Sequence, residues 1–259
     1  MARDLRSRQS GVQLQVSGVA QFVLVHGAWH GAWCWSRVLP RLRAAGHDAH
    51  AVTLTGVGDR AHLLSRDIRV ATHVADVVNL IVCEELSDVV LVGHSYGGMV
   101  ITGVADRMQA EHSGVLRHLV YVDGSAPKPG ESWSSPHKPE VVAARVAAAE
   151  AGGGLAIPQP DASVFGLEGA DRDWVNRRMT PQPFGLYRDP LQFDAERVAR
   201  LPRSFIDCNQ PAFPNIEPMR KRVREEPGWN VIVIATGHDV MVSEPAQLSD
   251  ALLRIARSR

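Results

Sequence analysis

The sequence reads as an α/β protein, with a mostly parallel central sheet flanked by helices on both faces and interrupted by an inserted cap. Three observations carry this. Short apolar, β-branched runs recur at residues 21–25, 50–54, 88–92, 116–122, 204–208 and 229–235, and runs of that length suit strands buried on both faces. Helical stretches separate most of them, which is the crossover that parallel neighbours require. Between residues 126 and 198 the rhythm breaks, in a segment that holds most of the prolines and a Gly152-Gly153-Gly154 run. Its fragment PEVVAARVAAAEA is too apolar for a linker, and so long an excursion is expected to cover a site.

In chain order, residues 12–16 can form a short strand, and the buried strand at 21–25 ends at His26-Gly27. The following AWHGAWCW mixes glycine with tryptophan and reads as a loop. Residues 36–45 show helical spacing in Val38, Leu39 and Leu42, with Gly46 as C-cap and Pro40 disturbing the first turn. After the strand at 50–54 and the loop TGVGDRAHLL, Thr72 is expected to cap a helix whose Val74, Val77, Val78 and Ile81 share one face. The strand at 88–92 leads through a turn into a helix over 97–109, and the strand at 116–122 ends in Asp123-Gly124. Beyond the break come a strand at 204–208, a helix at 218–226, a strand at 229–235, the loop Gly237-His238-Asp239 and a helix at 245–256 opened by Pro245. The expected organisation is a leader over 1–19, a core from 20–125 and 199–259, and a cap over 126–198.

Composition narrows the function. With 259 residues, 45% of them hydrophobic, the chain can bury one large core. Lys plus Arg and Asp plus Glu balance at 28 each, so no net field favours nucleic acid or an anionic membrane, and a small neutral molecule is the expected partner. Cys34, Cys83 and Cys208 are too few and too scattered for a disulfide framework. The basic start MARDLRSRQSG lacks the apolar stretch of an export signal, and no run reaches the roughly 18 apolar residues of a membrane span. A cytoplasmic location is expected; nothing in the sequence reports the oligomeric state.

The chemistry centres on Gly93-His94-Ser95-Tyr96-Gly97, a GxSxG turn between a strand and a helix. That context forces the serine into a strained turn with its hydroxyl exposed, and the glycines leave room for the neighbouring elements. A serine needs a base, and His238, in a Gly-containing loop after the last strand, is the candidate in the chain order this architecture uses. A tetrahedral intermediate needs two N–H donors. Tyr96, following the serine at a helix N-terminus, supplies one, and Ala28, after the turn at Gly27, the other. Trp29 and His26 are candidate pocket walls. His26 and His30 are four apart, but the strand end and glycines exclude a helix there, so neither a metal nor any other cofactor is expected.

HGAWHGAWCW, GHSYGG and GHDVMVSEPAQL resemble the α/β-hydrolase group that contains the plant methylesterases, the hydroxynitrile lyases and their bacterial esterase relatives. The likeness runs from Phe22 to Ile255 and includes RRMTPQP in the cap. It implies the α/β-hydrolase fold, Ser95 as nucleophile, His238 as base, and Ala28 and Tyr96 as oxyanion amides. The lyases carry threonine where this chain has Gly27 and lysine where it has Asp239, so the resemblance implies ester hydrolysis. The acid departs from the pattern: Pro211 stands where the plant enzymes have their aspartate. Asp123, ending the strand beside the serine's strand, is the favoured replacement; Asp207 is the alternative, and Glu217 a further one.

The resulting expectation is a serine hydrolase that cleaves a small hydrophobic carboxylic ester through an acyl-enzyme. Two alternatives stay open: an acyl-transfer, cyclisation or C–C cleavage enzyme, and a ligand-binding protein on the same scaffold.

Overall fold

The structure is a computed structural model that describes residues 19–258. The strand expected at 12–16 lies outside the described residues. In chain order the elements are β1 (Gln21–Val25), α1 (Leu39–Ala44), β2 (Asp48–Val52), α2 (Val70–Cys83), β3 (Val89–His94), α3 (Gly97–Glu111), β4 (Leu116–Val122), α4 (Pro139–Ala151), β5 (Ala156–Ile157), α5 (Gly169–Asn176), β6 (Gln182–Pro183), α6 (Ala195–Ala199), β7 (Arg203–Cys208), α7 (Glu217–Glu225), β8 (Trp229–Ile234), α8 (Val240–Ser243) and α9 (Pro245–Arg257).

Six strands form one sheet in the order β2-β1-β3-β4-β7-β8, and every pairing in it is parallel. The chain starts near the middle and winds outward in both directions. Sites on such sheets form at the C-terminal strand ends, where successive loops part. The central strands are buried throughout: Phe22, Leu24, Leu91 and Phe205 expose nothing to solvent. Continuous apolar runs are therefore the physical requirement here.

Several boundaries shift for local reasons. β2 spans Asp48–Val52, in register with β1 from Gln21↔Asp48 to Val25↔Val52, and Leu54 has left the sheet to donate its N–H to the His26 ring. α1 begins only at Leu39, with Pro40 in its first turn, after a separate short helical turn at Ala32–Trp35. A proline there costs nothing, because first-turn N–H groups have no helical acceptor. Thr72 is not the cap of α2: it sits inside the first turn, where its hydroxyl accepts the Arg69 N–H at 3.1 Å.

Between β4 and β7 the chain leaves the sheet. α4, α5 and the antiparallel pair β5–β6 lie in this excursion, and α6 returns to pack on α3. Trp133 of the excursion stands 5.3 Å, ring to ring, from Tyr96 beside the serine turn. The excursion thus lies over the end of β3. Among the described residues no helix is long and apolar enough to cross a membrane.

Because Leu91 is fully buried in the middle of the sheet, Leu91→Ala removes its packing and leaves a cavity. We expect a loss of about 2–5 kcal/mol in urea unfolding, with the slope m unchanged.

Candidate active site

Ser95 sits at the junction of β3 and α3 with φ of 52°, left-handed backbone that a serine rarely adopts. Crowding explains what holds it there. A Cβ at Gly93 would lie 2.6 Å from the Gly97 carbonyl oxygen, and one at Gly97 would lie 2.7 Å from the carbonyl oxygens of Val25 and His26. The turn is also tied to the end of β4, because Ser95 N–H donates to Val122 O at 3.1 Å and Ser95 O accepts from Ser125 N–H at 2.9 Å. Three strand ends thus meet around one hydroxyl. The same crowding accounts for Gly27, where a Cβ would stand 2.8 Å from Ser95 Cβ and 2.9 Å from His94 Nδ1. A threonine there would require the serine turn to move.

His238 follows β8 and is buried, and its Nδ1–H donates to Asp123 Oδ2 at 2.6 Å. That bond leaves Nε2 without its proton and able to accept one. The loop is anchored from behind: His94 Nε2–H donates to the His238 carbonyl at 3.0 Å. Ser95, His94 and His238 all line one pocket. Among the described residues Ser95 Oγ makes no hydrogen bond, so the serine and the base face the same space without yet being joined. Such contacts often tighten only once substrate is present.

Of the candidate acids, Asp123 meets the histidine and Asp207 does not. Asp207 lies in β7 and accepts from Arg220 Nε at 2.6 Å and from Arg224. Arg220, from α7, also donates through Nη2 to Asp123 Oδ1 at 2.7 Å. The two acids left open by the sequence therefore share one buried arginine. Glu217 is 68% exposed and only skirts Arg220 at 3.5 Å. Pro211, where the sequence resemblance would place the acid, packs against Gly166 of the excursion. The sequence reading missed Arg220, since MRKRVRE looks like a solvated helix face. The available signal was the presence of two acids at buried strand ends, which need a counter-charge.

The Ala28 and Tyr96 N–H groups have no hydrogen-bond partner among the described residues. His26, expected at the pocket wall, instead lies behind the loop. Its Nδ1–H donates to Gly27 O at 2.7 Å, and its Nε2 accepts from Leu54 N–H at 3.1 Å. Burial holds this ring neutral, with its pKa lowered to about 3. Gly27 C=O and Ala28 N–H belong to one trans peptide and point in opposite directions. A clamp on the carbonyl therefore fixes where the Ala28 N–H aims. His30 secures the next peptide: its Nδ1–H donates to Ala28 O at 2.7 Å and its Nε2–H to Asp239 Oδ2 at 3.0 Å. Burial opposes charge on His30, but the Asp239 carboxylate outweighs it and raises the pKa. Burial likewise opposes charge on Asp239, and His30 chiefly, with His94 and His238, reverses this and lowers the pKa.

Trp29 is a pocket wall, its backbone N–H held by Gln182 Oε1 at 2.8 Å and its indole by Ile157 O at 3.1 Å. Trp35 is core, and Trp33 stacks on His30 at 5.2 Å. Phe165, Phe213, Trp133 and Arg145 close the pocket, leaving about 10 Å³. That is room for about one water, so an entering ligand must displace side chains. Among the described residues no group of three or more His, Cys, Asp or Glu side chains could hold a metal ion.

An alpha/beta hydrolase family model matches residues 22–251, most of the chain. The chain belongs to the alpha/beta hydrolase family. This hydrolase is 42% identical over 244 residues to the carbendazim hydrolyzing esterase of Nocardioides sp. (strain SG-4G), covering 90% of this chain and 98% of that protein. It is 27% identical to methylesterase 2 of Arabidopsis thaliana, covering 91% and 95% of the two chains. Its fold matches an extracellular alpha/beta-hydrolase from a Paenibacillus species, with a TM-score of 0.80 at 22% identity over 92% of this chain and 100% of that one.

Two predictions follow from the buried charges. Arg220→Met leaves the buried Asp123 carboxylate without its cation and Asp207 with Arg224 alone, and should cost about 3–5 kcal/mol in denaturant unfolding. The second concerns pH. Stabilisation by His30 is complete below its ordinary 6.5 and fades as pH rises through its raised folded value. That by Asp239 is complete above its ordinary 3.8 and fades as pH falls through its lowered folded value. The pair therefore contributes most between 3.8 and 6.5. Asp239→Asn should destabilise the protein most in that window, measured as Tm against pH beside the parent protein.

Proposed function

We propose that this hydrolase is a carboxylic ester hydrolase that works through a Ser95-His238-Asp123 triad and an acyl-enzyme. The observation that carries the reading is the 2.6 Å bond from His238 Nδ1–H to Asp123 Oδ2, made at the wall of the pocket that Ser95 also lines. The esterase names of the relatives supply the reaction class.

Ser95 Oγ attacks the ester carbonyl while His238 Nε2 takes its proton. Asp123, held by Arg220, keeps the imidazole in the Nδ1–H tautomer and stabilises the imidazolium that forms. The developing oxyanion takes the Ala28 and Tyr96 N–H groups, which are preorganised by His26 behind Gly27 and by the N-terminus of α3. His238 then protonates the departing alcohol, and water, deprotonated by the same histidine, releases the acid. Residues 126–198 act as a cap whose Trp133, Phe165 and Arg145 shut the site from solvent. The aromatic walls suit a small ester with an apolar or aromatic body.

The test is p-nitrophenol release from short-chain esters, with carbendazim added as a further substrate. Ser95→Ala should abolish turnover. Asp123→Asn should lower kcat about 10,000-fold, as loss of the orienting acid does in a serine protease. Asp207→Asn, which leaves Asp123 on the histidine, should lose far less. Equal rates for the parent protein and Ser95→Ala would overturn the reading, and a larger loss in Asp207→Asn would reassign the acid.

A further inference from the structure

Arg145 of α4 lines the pocket over Ser95 and is held there by π faces. Its guanidinium carbon lies 5.0 Å from the Trp133 ring centroid, 5.2 Å from Trp29 and 5.6 Å from Tyr187. Nη1 stands 3.3 Å from His137 Nδ1, which also faces the Tyr187 hydroxyl at 3.0 Å. Burial first, and then the Arg145 charge, hold His137 neutral, with its pKa lowered to about 3. It can therefore accept an N–H but cannot balance the charge. The half-buried Arg37, Arg60, Arg197 and Arg222 each meet a carboxylate, whereas Arg203 lies over the Trp229 ring without one, away from the pocket that Ser95 lines. Arg145 meets none among the described residues.

A second cavity, of about 330 Å³, shares Trp29, Arg145, Phe165, Phe213 and Asn215 with the pocket over Ser95. Its remaining walls include Ala148, Ile157, Pro158 and Val164. A substrate reaching Ser95 through this mouth passes a cation in an otherwise apolar passage. A partly buried guanidinium without a counter-ion has lost part of its hydration, and a carboxylate placed against its fork restores what burial removed. Three aromatic faces hold the arginine in position but leave most of its five N–H donors without an acceptor.

We propose that Arg145 is a carboxylate-binding residue of the substrate site, and that the preferred substrates are esters that carry a free carboxylate. Such a molecule presents one ester to Ser95 and carries a second, ionised carboxylate on a short apolar or aromatic body. The proposal rests on the esterase reading of Ser95. The carboxylate can belong to the acyl part or to the alcohol part, and matched pairs of substrates separate the two.

The first pair is mono-p-nitrophenyl glutarate against p-nitrophenyl valerate, with the carboxylate on the acyl side. The second is 4-acetoxybenzoate against 4-methylphenyl acetate, with it on the alcohol side. In the parent protein the anionic member of at least one pair should have the higher kcat/KM, by about 10- to 100-fold, the range expected for a hydrogen-bonded ion contact. Arg145→Gln and Arg145→Leu should collapse that ratio towards one, and Arg145→Lys should keep part of it. Binding to Ser95→Ala supplies a readout free of turnover: by calorimetry, monomethyl glutarate should bind more tightly than dimethyl glutarate, and adding Arg145→Gln should erase the difference. Ser95-dependent hydrolysis with no anionic preference in either pair overturns this proposal and leaves the esterase reading standing. Arg145-dependent binding of the half-ester without any ester hydrolysis supports the carboxylate site and overturns the esterase reading. An anionic preference unchanged in Arg145→Gln also overturns the assignment to Arg145.

Discussion

The left-handed turn at Ser95 is the constraint from which the rest of the site follows. A serine with φ of 52° survives only where its surroundings leave no alternative. Here they are the ends of β1, β3 and β4, drawn so close that Gly27, Gly93 and Gly97 cannot carry side chains without moving backbone or the serine itself. Asp123, at the end of β4, meets His238, which lines the same pocket as Ser95 and Ala28. One packing arrangement thus serves strain, exposure and electrostatics together.

Charge inside the fold is handled by two separate devices. Arg220 lies between Asp123 and Asp207, and its remaining N–H groups donate to the Cys208 and Phe213 carbonyls. Two carboxylates that would repel each other are instead held by one cation, and the acid on His238 keeps an oxygen free to receive its proton donor. His30 and Asp239 form a second buried pair on the other side of the serine loop, with His30 also holding Ala28 O. Asp239, directly after His238, thus finds its partner in the first loop. Both clusters fix backbone that the proposed oxyanion site and triad depend on.

The position of the acid has a plain structural logic. Strands β4 and β7 are neighbours with matched register, Val122 opposite Ile206, so Asp123 and Asp207, the next residue on each, lie close enough to share Arg220. Pro211, where the sequence resemblance would place the acid, packs against Gly166. Asp123, one strand over, meets the histidine, and Arg220 ties it back to β7.

By itself the sequence determined the sheet and the ends of the catalytic argument. Buried parallel strands must be apolar throughout, so β1, β3 and β4 are legible as runs. A strained serine turn needs glycines at fixed offsets, so Ser95 is legible as a motif. Local chain chemistry has no such rule for partners far apart in sequence. Asp123 rather than Asp207 meets His238, across 115 residues, and Arg220, which holds both acids, lies in a helix segment that reads as a solvated face because periodicity does not record what a side chain meets. His26 sat beside a glycine in a loop and looked like a pocket wall, yet it works from behind that loop. His30 found Asp239 across 209 residues, and Arg145 came to the pocket from an excursion whose path no periodicity describes. Those placements belong to the tertiary structure, because buried charge and backbone direction are decided only when distant segments pack.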